Sequence, residues 1–219
     1  MITALFLFNL LLASCSKDET ETTVYAYLSI ANVSPTLGTY DAYIDGTKSN
    51  TSGALAFGGV SSYGTLTAGS HTLKFTTGSG TDILTSKTVS LEENGAYSAF
   101  LIDKASDMGI LLVKDEMTVA STEKAFIRFI NLSPDAPALD LSVRGGATLI
   151  TSKAYKSASD FQAIDPKTYS FELKANGLVE AALADQTLTA GKYYTIISRG
   201  LMTVGDIDQP FGAQLITNL

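Results

Sequence analysis

The chain has 219 residues, a formal net charge of −7, and 45% hydrophobic against 17% charged side chains. Fifteen Lys and Arg set against 22 Asp and Glu leave no basic footprint for nucleic acid and no electrostatic reason to adhere to anionic lipid headgroups. One cysteine and one histidine exclude disulfides and multi-Cys or multi-His metal sites, and any histidine-based triad would depend on His71 alone.

Residues 1–14 carry no charge and are mostly Leu, Phe, Ile and Ala. The apolar run Ala4 to Leu11 is shorter than the roughly 20 residues of a membrane span. It reads as the apolar region of a secretion signal, with the small residues Ala13 and Ser14 before the cut. Leu12-Ala13-Ser14-Cys15 resembles the lipobox of bacterial lipoproteins, and the resemblance implies that Cys15 is lipidated and becomes the N-terminus. The alternative is a buried free cysteine, but free cysteines usually sit in cores, not at an apolar-to-acidic junction. Signals normally carry a basic segment first, and none precedes this run; the expected start codon therefore lies upstream of Met1.

Residues 15–24 are polar and form an expected flexible tether. Lys17-Asp18-Glu19 resembles the Lys-plus-acidic export signal of surface lipoproteins of Bacteroidetes. That resemblance implies an outer-membrane protein, lipid-anchored and facing the cell exterior. With Cys15 given to lipid, the folded part has no cysteine and must be held by core packing alone.

After Thr23 one unit is written twice. Tyr27-Leu-Ser-Ile-Ala-Asn-Val-Ser-Pro35 aligns with Phe126-Ile-Arg-Phe-Ile-Asn-Leu-Ser-Pro134, and the same shift places Asp41 on Asp140 and Gly46 on Gly145. Further on, Ser62-Tyr63 meets Asp160-Phe161, and Gly95-Ala96-Tyr97 is aligned with Gly191-Lys192-Tyr193. Apolar residues recur at period two, as in Leu73 and Phe75 or Tyr169, Phe171 and Leu173. Turn pairs such as Asp-Gly, Asn-Gly and Gly-Gly punctuate the short runs, which predicts all-β sandwiches. Strands are expected at 25–33, 39–45, 54–58, 61–66, 70–77, 83–91, 96–102 and 108–114. The second set falls at 124–132, 138–144, 147–151, 159–164, 168–174, 180–188, 192–198 and 211–217. The expected organisation is a signal (1–14), a tether (15–24), a first sandwich (25–117), a short linker and a second sandwich (123–219). The tether carries −2, the first repeat −4 and the second −1. Tyr97 to Ile102 and Tyr193 to Ser198 are near-continuously apolar, as expected of strands covered on both faces.

Phe126 to Asp140, with Ser133-Pro-Asp-Ala-Pro137 at its centre, resembles the domain of unknown function 4397 family, and Tyr27 to Asp41 is a weaker twin. In the first repeat the motif has become Ser34-Pro-Thr-Leu-Gly38. Asp45-Gly46, Phe57-Gly58, Ala68-Gly69 and Asn94-Gly-Ala-Tyr97 also look like the family's turns. The resemblance covers both repeats in tandem and implies an immunoglobulin-like β fold. It implies no activity.

Each residue with chemistry has a structural reading. His71 lies on the face of Leu73 and Phe75 and aligns with Tyr169, so a packing role is favoured over a functional one. Asp41 and Asp140 sit in different repeats, and each is read as accepting from turn or strand backbone. Asp135 is read as closing its proline turn. Asp206-Ile207-Asp208 and Asp103 with Asp107 are too sparse for a calcium loop. Gly58-Gly59 and Gly145-Gly146 open no helix and are read as hairpin glycines. The tyrosines, crowded at Tyr25, Tyr27, Tyr40, Tyr43 and Tyr63, fit strand preference, with sugar stacking or a protein interface as the alternative. The expected function is a lipid-anchored cell-envelope module that binds a protein or glycan partner or has a structural role, without catalysis, cofactor, metal or nucleic acid. A glycan-binding accessory lipoprotein of a nutrient-uptake system is the alternative, and an unrecognised enzyme a more distant one.

Overall fold

The computed structural model describes residues 23–104, 106–117 and 121–219. The expected signal and lipidated Cys15 lie outside the described residues, as does the tether up to residue 22.

Eight strands build the first sandwich: β1 (Tyr25–Asn32), β2 (Tyr40–Ile44), β3 (Thr47–Lys48), β4 (Gly64–Thr67), β5 (Gly69–Thr77), β6 (Ile83–Leu91), β7 (Ala96–Ile102) and β8 (Gly109–Lys114). Eight more build the second: β9 (Ala125–Asn131), β10 (Leu139–Val143), β11 (Thr148–Lys153), β12 (Gln162–Ile164), β13 (Thr168–Ala175), β14 (Leu178–Thr187), β15 (Tyr193–Arg199) and β16 (Gly212–Thr217). Each sandwich has two four-stranded sheets, β4-β1-β7-β8 over β3-β2-β5-β6 and β12-β9-β15-β16 over β11-β10-β13-β14. In both, the first and seventh strands pair in parallel. The all-β expectation of two tandem immunoglobulin-like sandwiches is met.

Two short elements differ from the sequence expectation: β3 (Thr47–Lys48) lies in none of the expected strands, and the strand expected at 54–58 is missing. There Leu55 makes only an isolated bridge to Tyr40. The Asn50 side chain holds this segment instead, its Oδ1 accepting from Ala42 N at 2.8 Å and its Nδ2 donating to Gly53 O at 2.8 Å. A side chain that satisfies the backbone locally removes the need for a ladder.

The period-two pattern has a clear destination in each sandwich. Leu28, Ile30, Leu73, Phe75, Tyr97 and Leu101 meet in the first core, and Ile127, Phe129, Leu141, Phe171, Tyr194 and Ile196 in the second. The intervening residues form a third cluster. Ala31, Val33, Phe100 and Ile102 pack against Ile130, Leu132, Ile197 and Ile216. The β1–β7 and β9–β15 sheets therefore press their second faces together, so the four sheets stack as four layers. This is why β7 and β15 are apolar on both faces.

The register also corrects one alignment. Leu28 faces Tyr97 across β1 and β7, and Ile127 faces Tyr194 across β9 and β15, so Tyr97 matches Tyr194 and not Tyr193. Both rings do the same work. The Tyr97 hydroxyl accepts from Glu92 N and the Tyr194 hydroxyl from Thr189 N, each at 3.0 Å. A tyrosine pinning the turn before its strand is the corner device of immunoglobulin-like sandwiches.

Candidate functional site

The Asn-x-Ser-Pro motif shared by the repeats is a loop staple. Asn131 Oδ1 accepts from Ser133 N at 3.2 Å and from Ser198 Oγ at 2.7 Å, while its Nδ2 donates to Pro137 O and Lys153 O. Asn32 repeats this with Ser34 N and Leu55 O. Ser34 Oγ donates to Asp103 O at 2.7 Å, and Ser133 Oγ to Gly200 O at 2.8 Å. Asp135 closes the same turn, accepting from Met202 N at 2.9 Å and Thr203 N at 2.8 Å. The most recognisable stretch of the sequence is thus consumed in backbone hydrogen bonds.

Asp41 and Asp140 also bond as expected, and the structure does not bring them together. Asp41 is buried, accepting from Ser79 N at 3.0 Å and paired with Lys48 Nζ at 2.8 Å. The Lys48 contact outweighs the cost of burial and holds the Asp41 carboxyl below its usual range. Asp140 Oδ1 accepts from Ser152 N at 2.7 Å.

His71 is buried with both ring nitrogens occupied. Nε2 lies 2.8 Å from the Thr67 carbonyl, which can only accept, and Nδ1 lies 2.6 Å from Asp45 Oδ2. Its counterpart Tyr169 makes the equivalent bond, donating to Asp165 O at 3.0 Å. Two acceptors around one ring favour the doubly protonated imidazolium. Burial opposes the charge, but the hydrogen bonds to Asp45 and Thr67 outweigh it and raise the His71 pKa. Asp45 moves the other way, lowered first by Thr72 N and then by His71. The signs fix a prediction. A raised histidine stabilises the fold fully below its unfolded pKa near 6.5, and that contribution is lost as pH rises through the folded value. No other histidine is present. The urea midpoint of the wild type should therefore fall as pH is raised from about 6 to 8, and His71→Tyr should flatten that slope; a wild-type midpoint independent of pH there would refute the pairing. At the acid end, the Asp45 contribution is lost as pH falls through the carboxylate range.

The two glycine pairs differ. Gly145-Gly146 turns β10 into β11, as expected. Gly58-Gly59 joins no hairpin: Gly58 N donates to Asn32 O at 2.8 Å, and Gly59 O accepts from Asn32 N at 2.9 Å. Gly58 has φ +80°, and a Cβ there would lie 2.8 Å from Arg199 Nη1 and Gln214 Oε1. The left-handed φ is what calls for glycine here, and the Arg199 and Gln214 side chains of the second sandwich close over it.

The main polar constellation is one the sequence reading did not single out, a ring buried between the sandwiches. The Arg128 guanidinium, 2% exposed, pairs through Nη2 with Asp115 Oδ1. Arg128 Nε donates to Thr195 Oγ1 at 2.9 Å, Thr195 Oγ1 donates to Asn218 Oδ1 at 2.7 Å, and Asn218 Nδ2 donates to the Tyr63 hydroxyl at 2.8 Å. Tyr63 closes the ring by donating to Asp115 Oδ2 at 2.6 Å, where Ser98 Oγ also donates at 2.9 Å. Phe161, the counterpart of Tyr63, lies under the Arg128 guanidinium at 4.6 Å. Burial, then the Asp115 charge, raises the Tyr63 pKa, so the phenol stays a donor. A second junction, at the proline-loop end, joins Asp103 to Tyr155 and to Lys156 Nζ at 3.0 Å, and Lys104 Nζ to Asp208 at 2.7 Å. Arg128 had one signal in the sequence, a lone cation inside the apolar run Phe126 to Ile130.

Most of the tyrosines serve the fold. Tyr40, Tyr97, Tyr169, Tyr193 and Tyr194 are buried, and Tyr63 and Tyr155 bond across the junctions. Tyr25 and Tyr27 are exposed, and Tyr43 is half-buried on an outer sheet face. Among the described residues, no three His, Cys, Asp or Glu side chains cluster to hold a metal ion. Open hollows mark the surface of the described residues. One lies at the sandwich junction beside Tyr27, Glu92, Lys114 and Leu219, another beside Asp103, Pro134 and Asp135, and a third around Tyr43 and Lys74.

Residues 26–142, more than half of the chain, match the family described as Domain of unknown function (DUF4397). The chain belongs to the DUF4397 family. The DUF4397 match begins in β1 and ends within β10, across the junction that carries Asp115 and Arg128. No curated protein matches the chain. Among solved structures, the Bacillus anthracis TIE protein is similar at 13% identity and TM-score 0.26, over 80% of this chain and 34% of its own. The chain thus spans about a third of that protein's length. The CBM26 module CBMbc from Eubacterium rectale Amy13K, solved with maltoheptaose, is similar at 12% identity and TM-score 0.27, over 88% of this chain and 97% of its own. A streptococcal virulence factor described for alpha-glucan binding is similar at 13% identity and TM-score 0.25, over 88% and 97%. Likeness at this level assigns no function.

Proposed function

We propose that this DUF4397 protein is a lipid-anchored cell-envelope module, facing the cell exterior from the outer membrane, that binds or scaffolds a partner without catalysis. The observation that carries this reading is the commitment of its reactive side chains. His71, Asp41, Asp135 and Asp140 are each held by backbone or side-chain partners, and the largest buried polar ring fastens the two sandwiches together. Such an arrangement builds a rigid platform whose outer sheet faces and end loops are free to be touched. We read the second sandwich as a sister copy of the family's domain. Anchoring through Cys15 would hold the end where β1 begins near the membrane and present the proline-loop end outward.

The anchor and the orientation have one joint test. In cells fed an alkyne fatty acid, the wild type should take up the label and be cut by external protease. Cys15→Ala should take up none and leave the membrane fraction. Labelling that survives Cys15→Ala would overturn the anchor, and protection from external protease would overturn the orientation. Cross-linking intact cells that carry the tagged protein then identifies the partner. The glycan-binding alternative is favoured by one surface feature, the hollow around Tyr43.

A further inference from the structure

The outer face of the β3-β2-β5-β6 sheet departs from its counterpart in a way the fold does not require. In the second sandwich, Glu172 lies 3.4 Å from Arg144 Nε and 3.1 Å from Lys174 Nζ, so each of those cations has a carboxylate partner on that face. The register places Tyr43 where Ser142 stands, Lys74 where Glu172 stands and Thr76 where Lys174 stands. Tyr43 is directly cross-strand from Lys48 on one side and Lys74 on the other. Lys48 is taken by Asp41. Lys74, half-buried, has no carboxylate partner among the described residues.

A bulge completes the hollow. Phe75 faces Thr85 but Thr76 faces Ile83, so Leu84 is the extra residue. Leu84 packs into the core and Ile83 is turned outward, 57% exposed. Bulges re-aim side chains in this way. Tyr43, Ile83, Lys74, Thr76, Thr81 and Gly46 then line an open groove of about 280 Å³. An aromatic ring and an aliphatic side chain beside one unneutralised cation suit a ligand with an apolar face and a single negative group.

We propose that this groove binds an anionic sugar, its pyranose ring laid on Tyr43 against Ile83 and its carboxylate or sulfate on Lys74 Nζ. The proposal rests on the reading of the protein as a binding module. The test is calorimetric titration of the full chain with trigalacturonate, a sulfated heparin-derived disaccharide and neutral maltotriose. At least one acidic probe should bind, with maltotriose weaker by about tenfold or more, and the two acids tell carboxylate from sulfate. Lys74→Glu, which copies the sister face, should abolish the preference for acid. Tyr43→Ala should weaken acid binding by about threefold to tenfold, while Ser142→Ala leaves it unchanged. Thermal midpoints of the variants confirm folding. Binding of neither acid, or unchanged binding by a folded Lys74→Glu chain, overturns the groove. If those same variants still capture the cross-linked cell partner, the groove fails and the binding-module reading stands.

Discussion

Arg128→Ala should destabilise the protein by about 3–5 kcal/mol, because it leaves the Asp115 carboxylate buried and without its cation. Asp115 is 4% exposed, so water cannot take over the lost contact without prising the two sandwiches apart. Thr195, Asn218 and Tyr63 lose part of their bonding as well, since the ring that orders them runs through the Nε of Arg128. A charge-free replacement should behave differently. Arg128→Met with Asp115→Leu removes both charges and refills the volume, and such swaps are often near neutral in stability. The double variant should therefore be more stable than Arg128→Ala despite carrying one more change. Urea unfolding of the wild type, both single variants and the double gives the coupling directly. A loss below about 1 kcal/mol for Arg128→Ala would mean the pair is hydrated and the junction looser than the structure has it.

Much of this architecture was legible in the sequence, and the reasons it was not all legible are physical. Period-two patterning fixes which side chains point together, so the strands and both cores follow from residues such as Leu73, Phe75 and Phe171. The same patterning shows that β7 and β15 are covered twice, because Tyr97 to Ile102 leaves no polar face. It does not say what covers them; only the fold shows that Phe100 meets the sister sandwich and not a helix or a partner chain. His71 was readable through its twin Tyr169, since a shared position with different chemistry points to a shared structural task. Arg128 was visible as an anomaly, yet Asp115 lies thirteen positions earlier beyond the linker, and no spacing rule links them. Gly58 misled because a glycine pair signals a hairpin, whereas its need for glycine comes from a left-handed φ in a segment bonded to Asn32, outside any hairpin. For Cys15 and the leader, the sequence remains the whole account.

Phe100→Ala should cost about 3–5 kcal/mol, as much as truncating a phenylalanine of either core. That outcome is not expected of a surface position on an independent domain. Phe100 alternates with Ala99 and Leu101, which face the first core, so its ring points away from its own sandwich. It is nonetheless 1% exposed, because Ile130, Leu132 and Ile197 lie over it. If the sandwiches were beads on a flexible linker, that ring would face water in the native state and its loss would cost almost nothing. The expected cost is large because the interface behaves as a third core. For the same reason, heating should unfold the chain in one transition, and Ile197→Ala, on the opposite wall, should cost about 2–5 kcal/mol. Tyr25→Ala, at an exposed site on the same strand sheet, should stay within about 0.5 kcal/mol and serves as the control. Calorimetry on these variants separates the two pictures. Two resolved transitions in the wild type, or a Phe100→Ala cost near that of Tyr25→Ala, would show that the faces do not meet in solution and would remove the rigid platform on which the binding reading depends.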